Sequence, residues 1–168
     1  DLEITNVLTK IPLIVQSRLL ELNLSGNRVS DEKFIDESIQ FPGFLRSLIL
    51  NDISWPTDSL QLFLYQVFKK IPKHLKLSLS STTMDQNEWY KFFDFINNPE
   101  LGGSYNALSV LIWDNNPLHV NLFSFLKRNT NLTSLQMNNC FNNQHENNEI
   151  FDHMNDFLKS ANNLRTLA

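Results

Sequence analysis

Hydrophobic positions along the chain recur in one phrase. It reads Leu19-x-x-Leu22-x-Leu24-x-x-Asn27, then Leu45-x-x-Leu48-x-Leu50-x-x-Ile53, and more weakly His74-x-x-Leu77-x-Leu79-x-x-Thr82. It returns as Leu108-x-x-Leu111-x-Trp113-x-x-Asn116 and as Leu132-x-x-Leu135-x-Met137-x-x-Cys140, and a sixth copy opens at Leu164-x-x-Leu167. Successive starts lie 26, 29, 34, 24 and 32 residues apart. Self-similarity at such a period reads as about five to six repeats of one unit, a single domain over residues 1–168, with a degenerate earlier copy at Leu2, Ile4 and Val7. Within a phrase the central leucines are two apart, so each phrase predicts a short strand with one buried side.

Between phrases the period lengthens from 2 to 3.6, the mark of a helix. Leu60, Phe63, Leu64, Val67, Phe68 and Ile71 make the clearest apolar stripe. The next predicted helix opens with Asp85 and Glu88 in capping-box spacing, buries Trp89, Phe92, Phe93 and Ile96, and stops at Asn97, Asn98 and Pro99. Others are predicted over 30–39, with Ser30 as N-cap and Phe34 and Ile35 inward, over 118–127, and over 146–160 with Ile150, Met154, Phe157 and Leu158 inward. One strand and one helix cannot bury their apolar sides alone. Neighbouring repeats must therefore stack, which predicts an α/β solenoid with a parallel sheet on the inner side and helices on the outer. The thirteen phenylalanines fall almost wholly in the helical segments and are expected to fill the space between helices and sheet.

The phrase resembles the leucine-rich repeat, over essentially the whole chain. The period near 29 and the helix after each phrase resemble the long intracellular subclass typified by ribonuclease inhibitor. The runs LLELNLSGNRVS (19–30) and FSFLKRNTNLTSLQMNN (123–139) are also similar to repeats of actin-capping-protein regulators and Ran GTPase activators. The resemblance implies a curved solenoid, sheet concave and helices convex, that binds proteins. It further implies a ladder of asparagines where the chain leaves each strand. Here that ladder reads Asn27, Ile53, Thr82, Asn116, Cys140, so the second rung has lost its polar side chain and the loop after it, with Trp55 and Pro56, is expected to be irregular. Cys140 is read as one of this structural series rather than as a reactive thiol.

Composition narrows the chemistry. Fourteen Lys and Arg stand against 18 Asp and Glu, a net charge of −4, which opposes an electrostatic nucleic-acid footprint. A single cysteine makes no internal disulfide and favours a reducing, cytoplasmic or otherwise intracellular setting. No apolar run reaches the roughly 18 residues of a membrane helix, and no leader-like segment opens the chain. No glycine-rich phosphate loop, Gly-x-Ser-x-Gly or His-Glu-x-x-His motif is present, so catalysis and cofactors are not expected. His145, Glu149 and His153 at i, i+4, i+8 are the candidate divalent-metal face, against which their polar neighbours suggest a merely solvated one. Asp85, Glu88, Asp94 and Glu100 are read as capping and solubilising rather than acid–base groups. The acceptor patterns at Asn23 and Asn131 are read as unmodified in this asparagine-rich chain.

The informative surface is the inner sheet face, where three rows alternate with the buried leucines. The first is Glu21, Ser47, Lys76, Val110, Ser134 and Thr166; the second Asn23, Ile49, Ser78, Ile112, Gln136 and Ala168; the third Ser25, Asn51, Ser80, Asp114 and Asn138. None is expected to hold the fold, and Ile49, Val110 and Ile112 are expected to stand exposed as apolar anchors for a docked protein. The candidate partner-binding set is therefore Glu21, Asn23, Ile49, Asn51, Lys76, Ser78, Val110, Ile112, Asp114, Gln136 and Asn138. A non-catalytic binding or scaffolding module is the expected role. The alternatives are a regulator of a partner enzyme, such as a small-GTPase activator, and a spacer whose inner face binds nothing. Neither end shows a polar cap, so the chain is expected to belong to a longer protein, its ends covered by further repeats or another chain.

Overall fold

The computed structural model describes residues 18–29, 43–71, 73–98, 105–140 and 148–168. Six strands form one parallel sheet in chain order: β1 (Glu21–Asn23), β2 (Ser47–Ile49), β3 (Leu75–Ser78), β4 (Leu108–Ile112), β5 (Ser134–Gln136) and β6 (Thr166–Leu167). Among the described residues four helices alternate with them: α1 (Ser59–Lys70), α2 (Gln86–Asn97), α3 (Val120–Arg128) and α4 (Asn148–Ser160). The predicted helix over 30–39 and the early copy at Leu2, Ile4 and Val7 lie outside the described residues.

The repeated leucine sets the register. Leu22 pairs with Leu48, Leu48 with Leu77, Leu77 with Leu111, Leu111 with Leu135, and Leu135 with Leu167. Among the described residues the helices pack on the face that carries the leucine row. There Leu77 and Leu111 meet Leu64 and Phe68 of α1, Phe92 and Ile96 of α2, and Leu122 and Phe125 of α3. All six stripe residues of the first helix are buried, as the periodicity requires. In α4, Ile150 and Phe157 are buried, whereas Met154 and Leu158 are half-buried. The expectation that phenylalanines are core fails at Phe44, on the approach to β2, and at Phe151 on α4; both are exposed.

Capping follows the sequence at α2 and departs from it at α1. Asp85 accepts the Glu88 N–H at 2.9 Å, half of a capping box. The Glu88 carboxylate turns instead to the preceding helix, accepting the Asp58 N–H at 2.7 Å and the Lys91 ammonium at 2.9 Å. Asp58 sits at φ 59 with no side-chain cap of its own, so the start of α1 is closed by a carboxylate from the next repeat.

Five turns leave β1 to β5 with one geometry. Gly26, Asp52, Ser81, Asn115 and Asn139 all have positive φ, between 54 and 69°. The first four donate their N–H to the carbonyl of Asn51, Ser80, Asp114 and Asn138 in the next turn, at 2.9 to 3.0 Å. The turn after β2 is thus as regular as the others, against the expectation drawn from Ile53. That side chain is fully buried among apolar neighbours, and its main chain continues the pairing through the Ser54 bridge to Thr83. Backbone bonding carries the turn without the amide.

Candidate interaction face

The rows expected on the face opposite the helices exist as rows. Glu21, Ser47, Lys76, Val110, Ser134 and Thr166 are mutual register partners, as are Asn23, Ile49, Ser78, Ile112 and Gln136. Alternation along a strand turns them away from the leucine core. Glu21, Asn23 and Asn138 are exposed, and Lys76, Val110, Ile49, Ile112, Asn51, Asp114 and Gln136 are half-buried. Ile49, Val110 and Ile112 are therefore less open than anticipated. Ser47 and Ser78 are buried, and Ser78 is only 3% exposed, its hydroxyl donating to Asn51 at 2.7 Å, so it offers a partner little.

The third row does structural work, contrary to expectation. Asn51 Oδ1 accepts both the Ser78 hydroxyl and the Ser80 N–H, the latter at 2.9 Å, while its own N–H donates to Ser25 Oγ at 3.1 Å. Asp114 Oδ1 accepts the Asn138 N–H at 2.7 Å and Oδ2 the Gln136 amide at 2.5 Å. These side chains tie the exits of β1 and β2, of β2 and β3, and of β4 and β5. A carboxylate between two donors binds them more tightly than a neutral acceptor would. The Asn23 side chain accepts the Ser25 N–H through Oδ1 at 3.0 Å. Among the described residues the Glu21 and Lys76 side chains are held by no hydrogen bond or ion pair, and with the half-buried aliphatic side chains they are the part of the face left to recognition.

Other candidate chemistry resolves into structure. Asp85 and Glu88 cap helices, and Asp94 accepts the Asn121 amide at 3.1 Å. Glu100 and His145 lie outside the described residues. Among those described no three His, Cys, Asp or Glu side chains are grouped to hold a metal, and no helix is long and apolar enough to cross a membrane. The Cys140 thiol donates to the Trp113 carbonyl at 3.1 Å, and burial pushes its pKa up, away from the reactive thiolate.

His119 was not marked by any motif, its only signal being its place before a helical stripe. It is the N-cap of α3, its Nδ1 accepting the Asn121 N–H at 3.2 Å. Its ring stacks on Phe93 at 4.8 Å and meets the Tyr90 edge at 6.0 Å. Burial lowers its pKa below the usual 6.5, opposed by Asp94 and Glu149. The folded state therefore takes up this proton less readily than the unfolded one. The stabilisation is complete above 6.5 and is lost as pH falls through that value towards the folded pKa. Urea midpoints measured between about pH 7 and about pH 5 should fall more steeply in the parent than in His119→Asn, which caps without titrating. Equal slopes would show that burial of the His119 ring does not lower its pKa in the folded state.

No family model matches the chain, and no curated protein matches it. The geometry defines an α/β protein built on one parallel six-stranded sheet, with a sheet face of aligned side chains.

Proposed function

We propose that the chain is a curved leucine-rich-repeat solenoid of the ribonuclease-inhibitor-like kind, and that it acts as a non-catalytic protein-binding or scaffolding module. The partner docks on the concave sheet face, across Glu21, Lys76, Ile49, Val110 and Ile112. One observation carries the reading: the leucine row and the two rows flanking it stay in register from β1 to β6, the one shift, between Leu75 and Lys76 at the start of β3, falling before them, so side chains far apart in sequence stand in rows on one wall. Rows that mix half-buried aliphatic and unpaired charged side chains suit a polypeptide, which offers both kinds of group. A reducing intracellular setting suits the buried free thiol of Cys140.

The test compares affinity capture by the parent with capture by Ile49→Ser/Ile112→Ser, each read out by mass spectrometry. The same named proteins should be retained by the parent and lost by the variant, whose thermal unfolding stays within a few degrees. Because both isoleucines are half-buried, a collapse in melting temperature would place them in the core and remove them from the binding face.

A further inference from the structure

The strands begin at a rim where positive charge is concentrated, in a chain whose net charge is −4. Between Asp58 and Asp85 the sequence holds Lys69, Lys70, Lys73, His74 and Lys76 and no carboxylate. All are exposed except Lys76, which is half-buried. The sheet brings two arginines to the same rim. Lys76 donates its N–H to the Arg46 carbonyl at 2.7 Å, so these residues are neighbours across β2 and β3. Arg18 stands three residues before Glu21 as Lys73 stands three before Lys76, and Glu21, Ser47 and Lys76 are aligned.

Lys91, Lys127 and Lys159 each lie within ion-pair distance of a carboxylate, at 2.9, 3.7 and 3.9 Å. Among the described residues none of Arg18, Arg46, Lys69, Lys70, Lys73 and Lys76 does. Lys69 and Lys70 close α1, where cations offset the partial negative charge of a helix C-terminus. That role does not account for Arg18, Arg46, Lys73 or Lys76. The same rim exposes Leu20 and Phe44 at 60% each, two of the most open large apolar side chains described. Unpaired cations beside exposed apolar groups complement a segment that carries carboxylates and apolar side chains together.

We propose that this rim binds an acidic polypeptide segment, with Arg18, Arg46, Lys73 and Lys76 meeting its carboxylates and Leu20 and Phe44 its apolar side chains. The site shares Lys76 with the proposed docking face but uses none of its aliphatic side chains, and it does not rest on their reading as a partner surface. A peptide fits better than a bilayer, because Lys76 is recessed in the sheet between Ser47 and Val110, where an extended chain reaches and a flat surface does not. The overall negative charge disfavours a long polyanion such as RNA.

The test is fluorescence anisotropy on the full chain. The probe is a short labelled peptide of glutamates with one leucine and one phenylalanine. Its glutamine counterpart, phosphatidylserine vesicles and a single-stranded RNA are the comparisons. The acidic peptide should bind at low salt, release as salt rises, and weaken about tenfold or more in Arg46→Glu/Lys73→Glu and in Leu20→Ser/Phe44→Ser. Both pairs are exposed, so circular dichroism should show the parent fold in each. Ile49→Ser/Ile112→Ser should bind the peptide like the parent, which keeps this site separable from the aliphatic rows. Absence of binding, equal binding of the glutamine peptide, indifference to charge reversal, or tighter binding of vesicles or RNA would each overturn the proposal.

Discussion

Replacing Trp113 by alanine is expected to lower the stability of the fold by about 3–5 kcal/mol, the largest effect of any single substitution argued for this chain. The residue follows β4, near the middle of the sheet, and is 1% exposed. Its ring lies parallel to Phe92 at 5.9 Å and edge-on to Trp89 at 5.6 Å, with Phe93 at 6.2 Å. These three partners all belong to α2, so Trp113 joins the sheet to the helix layer. Removing the indole leaves a void that α2 cannot close without breaking its contact with α3, where Arg128 donates to the Ile96 carbonyl at 2.7 Å. The indole N–H also donates to the Pro117 carbonyl at 3.0 Å and shapes the approach to α3. Trp113→Phe should keep most ring packing and lose chiefly that bond, at about 1–2 kcal/mol. Urea unfolding followed by far-ultraviolet circular dichroism separates the two. Equal midpoints for the alanine and phenylalanine variants would mean that the hydrogen bond, not the aromatic packing, dominates.

The strands and the first helix were legible because their signal is periodic. Leu22, Leu48, Leu77, Leu111 and Leu135 repeat at fixed offsets inside each phrase, and burying a leucine is worth about 1.5–3 kcal/mol, so a register that misplaced the row would forfeit all five. The roles of Asn51 and Asp114 were not legible. Each accepts an N–H from a turn 24 to 29 residues further along the chain, and only the pairing of successive strands brings those donors into reach. Glu88 stands in capping-box spacing but completes only half of the box: its carboxylate serves the amide of Asp58, thirty positions earlier, which only the packing of neighbouring helices brings within reach. Phe44 misled because residue type is a one-way guide: large apolar residues fill cores, but a folded surface still carries many apolar atoms. The binding rows were legible as positions from alternation alone. How open each position stands depends on its neighbours across the sheet, which no single phrase contains.

Asn116→Ala is expected to cost about 2–3 kcal/mol, far more than its one lost side chain suggests, because it strands a buried donor in another repeat. Asn116 is 2% exposed. Its Oδ1 accepts the Thr82 N–H at 2.8 Å, and its Nδ2 donates to the Leu79 carbonyl. The alanine variant leaves the Thr82 N–H without a partner, while the Leu79 carbonyl keeps the Thr82 hydroxyl at 3.2 Å. The cost therefore falls mainly on one amide. Asn116→Asp should be no better than alanine: it retains an acceptor for Thr82 but sets a buried carboxylate against the Leu79 carbonyl. Cys140 holds the equivalent rung one repeat on, where a weak thiol donor meets the Trp113 carbonyl and a second carbonyl, that of Asn138, at 3.5 Å. Its loss in Cys140→Ala should cost about 1 kcal/mol or less, since a thiol bond is weak and the removed volume is small. Urea midpoints for the three variants should thus fall in the order Cys140→Ala, Asn116→Ala, Asn116→Asp. If Asn116→Ala were as mild as Cys140→Ala, main-chain bonding between turns would suffice at every rung, as it does at Ile53, and the amide would be dispensable.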